Sequence, residues 1–376
     1  MKFKTILRYF LIWQVLIIFT VTWSKSIFPL QNTYIGGGEK TSFSDPKLYL
    51  NNPELYFRGN FDGLHYVNLV NQGPGLNNEA FFPLYPKLIG FLNPLIRNIV
   101  VSGSLISSIF FLFGLYFFVK LIQLDHNKKT VFWSVIILFA FPVSFFFTSV
   151  YTEGLFFFLS VSCFYFARTR RWWLAACLVA LATYTRFVGV FLIPALAVEL
   201  YNQKPGFLFR SILPFLLMPL GLLIYSNYLW KVKGDPLAFI HVQKSFGQGR
   251  SDKIVLPYQV IYRYVRMLTT VSPKNPLYPT LALESFTAIS FIALALIMVF
   301  KSRPSYALYA LTSLILPTLT GNFTSMPRYA LLCFPVFIFL GQYLTDHRKL
   351  RYLYLSFSLI LAIIFLSLFA RGYWVA

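Results

Sequence analysis

Apolar runs of roughly twenty residues recur along the chain, parted by short basic turns and by two longer, more polar stretches. A hydrocarbon core about 30 Å thick needs a helix of about that length, so the pattern predicts an all-α polytopic membrane protein. About eleven transmembrane helices are expected, over Thr5–Trp23, Ile99–Leu121, Thr130–Phe147, Tyr151–Ala167, Trp172–Thr185, Phe187–Tyr201, Phe209–Trp230, Thr280–Phe300, Ser305–Thr320, Tyr329–Leu344 and Tyr352–Ala370. Several are short for a full crossing and carry proline (Pro142, Pro194, Pro214, Pro219, Pro317, Pro335), which predicts broken or tilted helices. The first run begins with Lys2, Lys4 and Arg8 and lacks a small-residue cleavage site, so a retained span is expected.

The turns set the direction. With a cytoplasmic N-terminus, alternate connections hold Lys120/Lys128/Lys129, Arg168/Arg170/Arg171, Lys204/Arg210, Lys301/Arg303 and Arg348/Lys349/Arg351, as the positive-inside rule asks. Residues 25–98 and 231–279 then form two long extracytoplasmic loops. Eight of the 12 acidic residues, Glu39, Asp45, Glu54, Asp62, Glu79, Glu153, Asp235 and Asp252, fall on that side or at outer span ends. Arg186 and Arg328 join them there. No repeat or linker divides residues 1–376, so a single membrane domain with an outer-face site is expected.

Composition sharpens this picture. At 57% hydrophobic and 12% charged residues, the chain is no soluble globule. A net charge of +21 would suggest nucleic acid in a soluble protein, but here the basic residues flank apolar runs, which reads as topology and contact with anionic membrane lipids. Cys163, Cys177 and Cys333 lie inside apolar runs and suggest no disulfide framework. The four histidines are scattered, without zinc-ligand spacing.

The stretch Asn60–Pro86 carries most of the candidate chemistry. Asp62, His65 and Tyr66 stand at i, i+3 and i+4, so a short helix would place them on one face. Gly73-Pro74-Gly75 would end that helix, and Pro83 and Pro86 stiffen the return toward the membrane. Asp62 reads either as a helix cap or as a functional carboxylate, and Glu79 as its companion or as a solvated loop residue. Tyr151-Thr152-Glu153 opens a span. Glu153 there complements the helix dipole or serves the site, since acids at membrane depth are commonly functional. Arg186 and Arg328 either snorkel to the interface or bind an anionic head group. Gly234-Asp235-Pro236 through Gly249-Arg250, with Phe239, His241 and Phe246, reads as a turn and an amphipathic stretch on the membrane surface. Asn322-Phe323-Thr324 matches a glycosylation sequon in a very short loop.

Taken together, these blocks resemble a known family. Asp62-Gly-Leu-His-Tyr66 is similar to the D-x-x-W/H-Y signature in the first outer loop of the GT-C membrane glycosyltransferases. Phe81-Phe-Pro-Leu-Tyr-Pro86 resembles the segment that follows it in the GPI mannosyltransferase II (PIG-V) family and its prokaryotic relatives. Phe141-Pro-Val-Ser144, Ser149–Phe156, Arg168–Trp173, Ala182–Gly189, Gly234–Phe239 and Pro327-Arg-Tyr329 resemble its later blocks in order. Phe61 stands where the family often has tryptophan, and the chain is compact beside eukaryotic members.

The resemblance implies a GT-C-like fold with a helical first outer loop. It also implies transfer of mannose or a related hexose from a polyprenyl- or dolichyl-phosphate sugar to a glycan, glycolipid or protein acceptor, with inversion. By resemblance Asp62 is the base. Placement suggests Arg186 and Arg328 for the donor phosphate, and His65, Tyr66, Glu79, Tyr151, Glu153 and Asp235 for the substrate pocket. No cofactor or metal is expected to be required, although some superfamily members hold a metal with loop acids, which leaves Asp62 with Glu79 or Asp235 open. The expected location is the plasma membrane, or the endoplasmic reticulum membrane in a eukaryote. Two other readings are a transporter or flippase without catalysis, which would show inverted repeats and polar groups at mid-membrane, and an inactive scaffold relative.

Overall fold

The computed structural model describes residues 1–31, 52–73, 78–203, 212–246 and 254–376, and among them the chain is helical, with no strand. Glu39, Asp45, Asp252, Pro74, Gly75, the Lys204/Arg210 turn and Gly249-Arg250 lie outside the described residues.

The helices are α1 Phe3–Ser24, α2 Asp62–Gln72, α3 Leu84–Ile96, α4 Ile99–Ile122, α5 Lys128–Ala140, α6 Glu153–Arg168, α7 Trp172–Thr183, α8 Leu192–Asn202 and α9 Leu220–Lys233. The second half adds α10 Pro257–Thr270, α11 Tyr278–Lys301, α12 Pro304–Thr318, α13 Met326–Leu332, α14 Phe334–Asp346 and α15 Arg348–Ala370. One-turn helices at Pro53–Tyr56 and Ala238–His241 sit in the two long connections.

Five helical stretches are long and apolar enough to cross a membrane: α1, α4, Leu213–Lys233, α11 and α15. A sixth is the pair α13 and α14 if it counts as one span, bent by 73°. The protein is therefore a multi-pass membrane protein. The other expected runs are helical but shorter, and local sequence explains why. The run from Thr130 stops at Ala140, because Pro142 cannot continue the ladder, and resumes as a 3₁₀ turn at Ser144–Thr148. Phe187–Phe191 is also 3₁₀, and Cys333 is the break between α13 and α14, with Pro335 in the first turn of α14.

Close packing at the centre is aromatic. Phe111, Phe146, Phe147, Phe156, Phe157 and Phe164 are fully buried. Phe111 stacks on Phe147 with ring centroids 4.1 Å apart, tying α4 to the 3₁₀ turn that precedes α6. Gly154, in the first turn of α6, lies so close to α4 that an added Cβ would fall 2.4 Å from the Ser107 carbonyl. Only glycine permits that approach, which brings the adjacent Glu153 fully inside.

The charges collect at the two ends of the bundle. At one end, Arg168 closing α6 makes bonds of 2.7 and 2.8 Å to Asp125 in the α4–α5 turn. Beside it the buried Glu199 of α8 accepts from Ser305 at 2.6 Å and from Arg303 at 3.1 Å. Three of the basic turns thus meet in one clamp. The other end holds Asp62, Glu153, Arg186 and Arg328.

Candidate active site

The site starts with the segment that delivers Asp62. Arg58 donates to the Thr148 carbonyl at 2.8 Å, to the Thr148 hydroxyl at 2.7 Å and to Gln14 of α1 at 3.1 Å. Two residues on, the Asn60 amide donates to the Phe369 carbonyl at 2.9 Å, and the Asn60 carbonyl accepts from the Tyr151 hydroxyl at 2.7 Å. The loop is thereby fixed to α1, to the turn before α6 and to α15. Phe61 then adopts φ 55°, a conformation rare for a bulky side chain. Its ring is held against Phe369 at 5.6 Å and Trp374 at 5.1 Å, contacts that over-determine the strained backbone. Asp62 follows as the first residue of α2, the helix that its spacing with His65 and Tyr66 predicts.

Arg328 arrives in a parallel manner. Ser325, the residue before α13, takes φ 63°, and its N–H donates to Glu284 of α11 at 3.1 Å. The other Glu284 oxygen accepts from the Tyr264 hydroxyl of α10 at 3.0 Å, and that hydroxyl accepts from the Phe323 N–H at 3.0 Å. Arg328 is buried and binds two acids: Nε reaches Glu153 at 2.8 Å and Nη1 reaches Asp62 at 2.5 Å. Arg186, from the turn after α7, donates to the same Glu153 oxygen at 2.8 Å and to the Thr152 hydroxyl at 3.0 Å. Two guanidiniums and two carboxylates therefore form one network drawn from four separate parts of the chain. Its formal charge cancels, as burial requires.

This network floors a cavity of about 540 Å³. Asp62, Arg186, Arg328, Asn322 and Ser325 are among its polar lining. Phe187, Phe191, Leu316, Phe239 and Ile240 are among its apolar lining, so the cavity offers both charged and apolar surface. His65 and Tyr66 also line it. His65 stacks on Phe81 at 4.5 Å, with Nδ1 3.3 Å from the Asn78 side-chain oxygen. Tyr66 packs edge-on against Phe81 and Tyr85, and burial pushes its phenol up to about 12, so it remains a neutral donor near pH 7.

Glu153 and Tyr151 lie beneath the cavity rather than on its surface. Both are fully buried, and the Tyr151 ring carries Arg328 over its face at 4.7 Å. Glu79 and Asp235 are turned elsewhere. The Glu79 carboxylate meets Lys233 at 2.9 Å while its carbonyl accepts from Tyr225, tying the first long connection to α9. Asp235 is partly exposed and engages His241 at 2.7 Å and the Leu237 N–H at 2.9 Å, closing the turn after α9. The 231–246 segment instead contributes Phe239, Ile240 and Gln243 to the cavity.

A metal held by Asp62 with Glu79 or Asp235 does not fit this arrangement, because the three carboxylates face different partners, Arg328, Lys233 and His241. Among the described residues, no group of three or more His, Cys, Asp or Glu converges. Glu284 and Trp374 are residues that sequence reasoning passed over, while Thr152 and Phe61 were noted there without a place in the site. Glu284 did carry a signal, as the lone acid within the apolar run Thr280–Phe300.

Comparison with known proteins complements the geometry. A family model described as Mannosyltransferase (PIG-V) matches residues 3–211. No curated protein sequence shows a significant match. Among solved structures, the apo oligosaccharyltransferase of Archaeoglobus fulgidus is similar at 14% identity and a TM-score of 0.41, over 98% of this chain. The chain spans 56% of the length of that protein.

Proposed function

The chain belongs to the mannosyltransferase (PIG-V) family of membrane glycosyltransferases, and from that premise we propose that it moves a mannose, or a related hexose, from a polyprenyl-phosphate sugar to a hydroxyl of a glycan or glycolipid acceptor. One observation carries the reading: a single cavity lined both by paired arginines with a carboxylate and by aromatic and aliphatic side chains. That combination matches a donor with an anionic phosphate and a long apolar tail. The phosphate lies against Arg186 and Arg328, and the first isoprene units run past Phe187, Phe191 and Leu316.

In this structure Arg328 occupies the carboxylate of Asp62. An incoming phosphodiester competes for the same guanidinium. As Arg328 turns to the phosphate, Asp62 is released to act on the acceptor, so donor binding itself prepares the base. Asp62 then takes the proton of the acceptor hydroxyl while its oxygen forms a bond to the anomeric carbon. The bond from that carbon to the phosphate oxygen breaks, and the electron pair leaves on polyprenyl phosphate. Arg186 and Arg328 stabilise the charge that grows there, so no general acid is needed. Glu153 keeps the two guanidiniums together throughout and does not touch the reacting atoms.

Attack opposite the leaving group inverts the anomeric centre. Incubation of purified protein with β-linked polyprenyl-phosphate mannose and a panel of acceptors, read by mass spectrometry and NMR, should give an α-linked product. Absence of transfer to any acceptor, or a retained β linkage, would overturn the reading. The site faces the extracytoplasmic side of the plasma membrane, or the lumen of the endoplasmic reticulum in a eukaryote, with the basic turns in the cytoplasm and about eleven crossings if the shorter apolar helices also span. Cysteines placed at Asn71 and Asn127 test this with a membrane-impermeant thiol reagent in intact cells. Labelling at residue 127 would reverse the orientation.

A further inference from the structure

A second depression, of about 330 Å³, lies directly behind the wall of the first cavity. Phe61 and Trp374 line both spaces, their rings edge to face, so a single pair of aromatic side chains separates them. The remaining lining comes from Gln31 after α1, from Asn275, Pro276 and Leu277 before α11, and from Gly372 and Tyr373 after α15. These are ends of helices, on the same end of the bundle as Asp62.

The walls are held firmly. The Gln31 N–H donates to the Arg371 carbonyl at 2.8 Å, and Arg371 Nε donates to the Phe28 carbonyl at 3.0 Å. Thr280 of α11 donates to the Trp374 carbonyl at 2.8 Å, and Val375 and Ala376 are buried. On the far side, the Asn275 oxygen accepts from the Leu277 N–H at 2.9 Å, which shapes the turn into α11. None of these bonds serves the charged network. The segment from Arg371 onward is built against α1 and α11, and it presents Tyr373 and Trp374 beside two carboxamide side chains.

The chemistry of this lining differs from that of the first cavity. Among the described residues its lining holds no charged side chain, and it combines aromatic rings with the amides of Gln31 and Asn275. A pyranose offers apolar C–H faces for stacking on aromatic rings and a rim of hydroxyls that amides can bind, so this lining matches a neutral sugar rather than a phosphate or a lipid tail. Its position is equally specific. A sugar seated here is parted from Asp62, which lines the first cavity, by Phe61 and Trp374, so it is a unit of the acceptor beyond the one whose hydroxyl reacts. We infer that this depression is the acceptor subsite, taking a pyranose unit of the acceptor glycan, with Phe61 and Trp374 as the wall between donor and acceptor.

The inference rests on the transferase reading above, and its test is arranged to stand without turnover. Methyl α-D-mannopyranoside is titrated into the purified full-length protein in detergent, with no donor present, and followed by saturation-transfer NMR. Saturable binding is expected for the unaltered protein. Tyr373→Ala should weaken it about tenfold, which corresponds to ~1.4 kcal/mol. Asn275→Asp, which keeps the oxygen that caps Leu277 but removes the amide donor, should weaken it severalfold. Arg186→Ala should leave it unchanged, since Arg186 lines only the first cavity. Polyprenyl-phosphate binding, measured in parallel, should survive both subsite substitutions and so certify that the variants are folded. Absent sugar binding, or binding indifferent to Tyr373 and Asn275, would overturn the assignment. Binding lost in Arg186→Ala would place the sugar in the donor cavity and overturn it too. If sugar binds as described while no transfer is ever detected, the transferase reading fails, and with it the acceptor role, while the depression stands as a sugar-binding site.

Discussion

Glu153→Gln isolates the electrostatic logic of the site. Glu153 is fully buried, and one of its oxygens receives Arg186 Nη1 and Arg328 Nε at 2.8 Å each. Glutamine preserves the shape and an oxygen that both arginines can reach. What it removes is the charge between two guanidiniums that water barely touches. Removing one partner of a buried ion pair typically costs ~3–5 kcal/mol. Because the hydrogen bonds can persist, the lower end of that range applies here. The anionic donor should repair part of the loss, since its phosphate brings a negative charge to the same two arginines. Thermal inactivation of the purified variant, with and without polyprenyl phosphate, gives both quantities. The variant should inactivate at clearly lower temperature than the unaltered protein, and polyprenyl phosphate should protect it by a larger increment. Equal stability, or equal protection of the two proteins, would refute the view that Glu153 is the standing counter-ion of a phosphate site.

Two further outcomes follow from the same network. Arg328→Lys and Arg186→Lys keep a positive charge but lose the planar fork that binds two oxygens at once, so donor affinity should fall by about tenfold or more, measured with labelled polyprenyl-phosphate mannose; unchanged affinity in both alanine variants would leave the arginines with a snorkelling role only. Glu284→Ala strips the acceptor from the Ser325 N–H and the Tyr264 hydroxyl, each a buried group whose loss of partner costs ~1–3 kcal/mol. Its kcat should drop while Glu284→Gln, which retains one acceptor, recovers much of the rate; equal defects in both would assign the role to charge instead.

The parts of this site that were legible in the sequence are those that local rules govern. Asp62, His65 and Tyr66 share a helix face because their spacing demands it, and Arg186 and Arg328 stood out as charges bordering apolar runs. Their convergence on Glu153 was not legible, because it depends on Gly154 letting α6 approach α4 and on Ser325 turning α13 inward. Glu79 was grouped with the site by proximity along the chain, and Asp235 by its placement in the second outer loop. The partner of Glu79, Lys233, lies at the end of α9, and nothing local announces that pair, whereas Asp235 meets His241 within its own turn. Helix α10 escaped a reading tuned to apolar runs, since it alternates Val260 and Tyr264 with Arg263 and Arg266 at helical spacing. Periodicity would have found it.

The central claim is that Asp62 is the base, released from Arg328 when the donor binds. Asp62→Asn keeps the size of the side chain and most of its hydrogen bonding but removes its capacity to take a proton. General-base catalysis typically contributes ~10²–10⁴ in rate, so kcat should fall within that range while the donor binds at least as tightly as before, because Arg328 no longer has a carboxylate to leave. Steady-state turnover and direct donor binding, measured on the same preparation, decide the matter. Near-normal turnover in Asp62→Asn, with activity abolished instead in Glu79→Gln, would contradict the account.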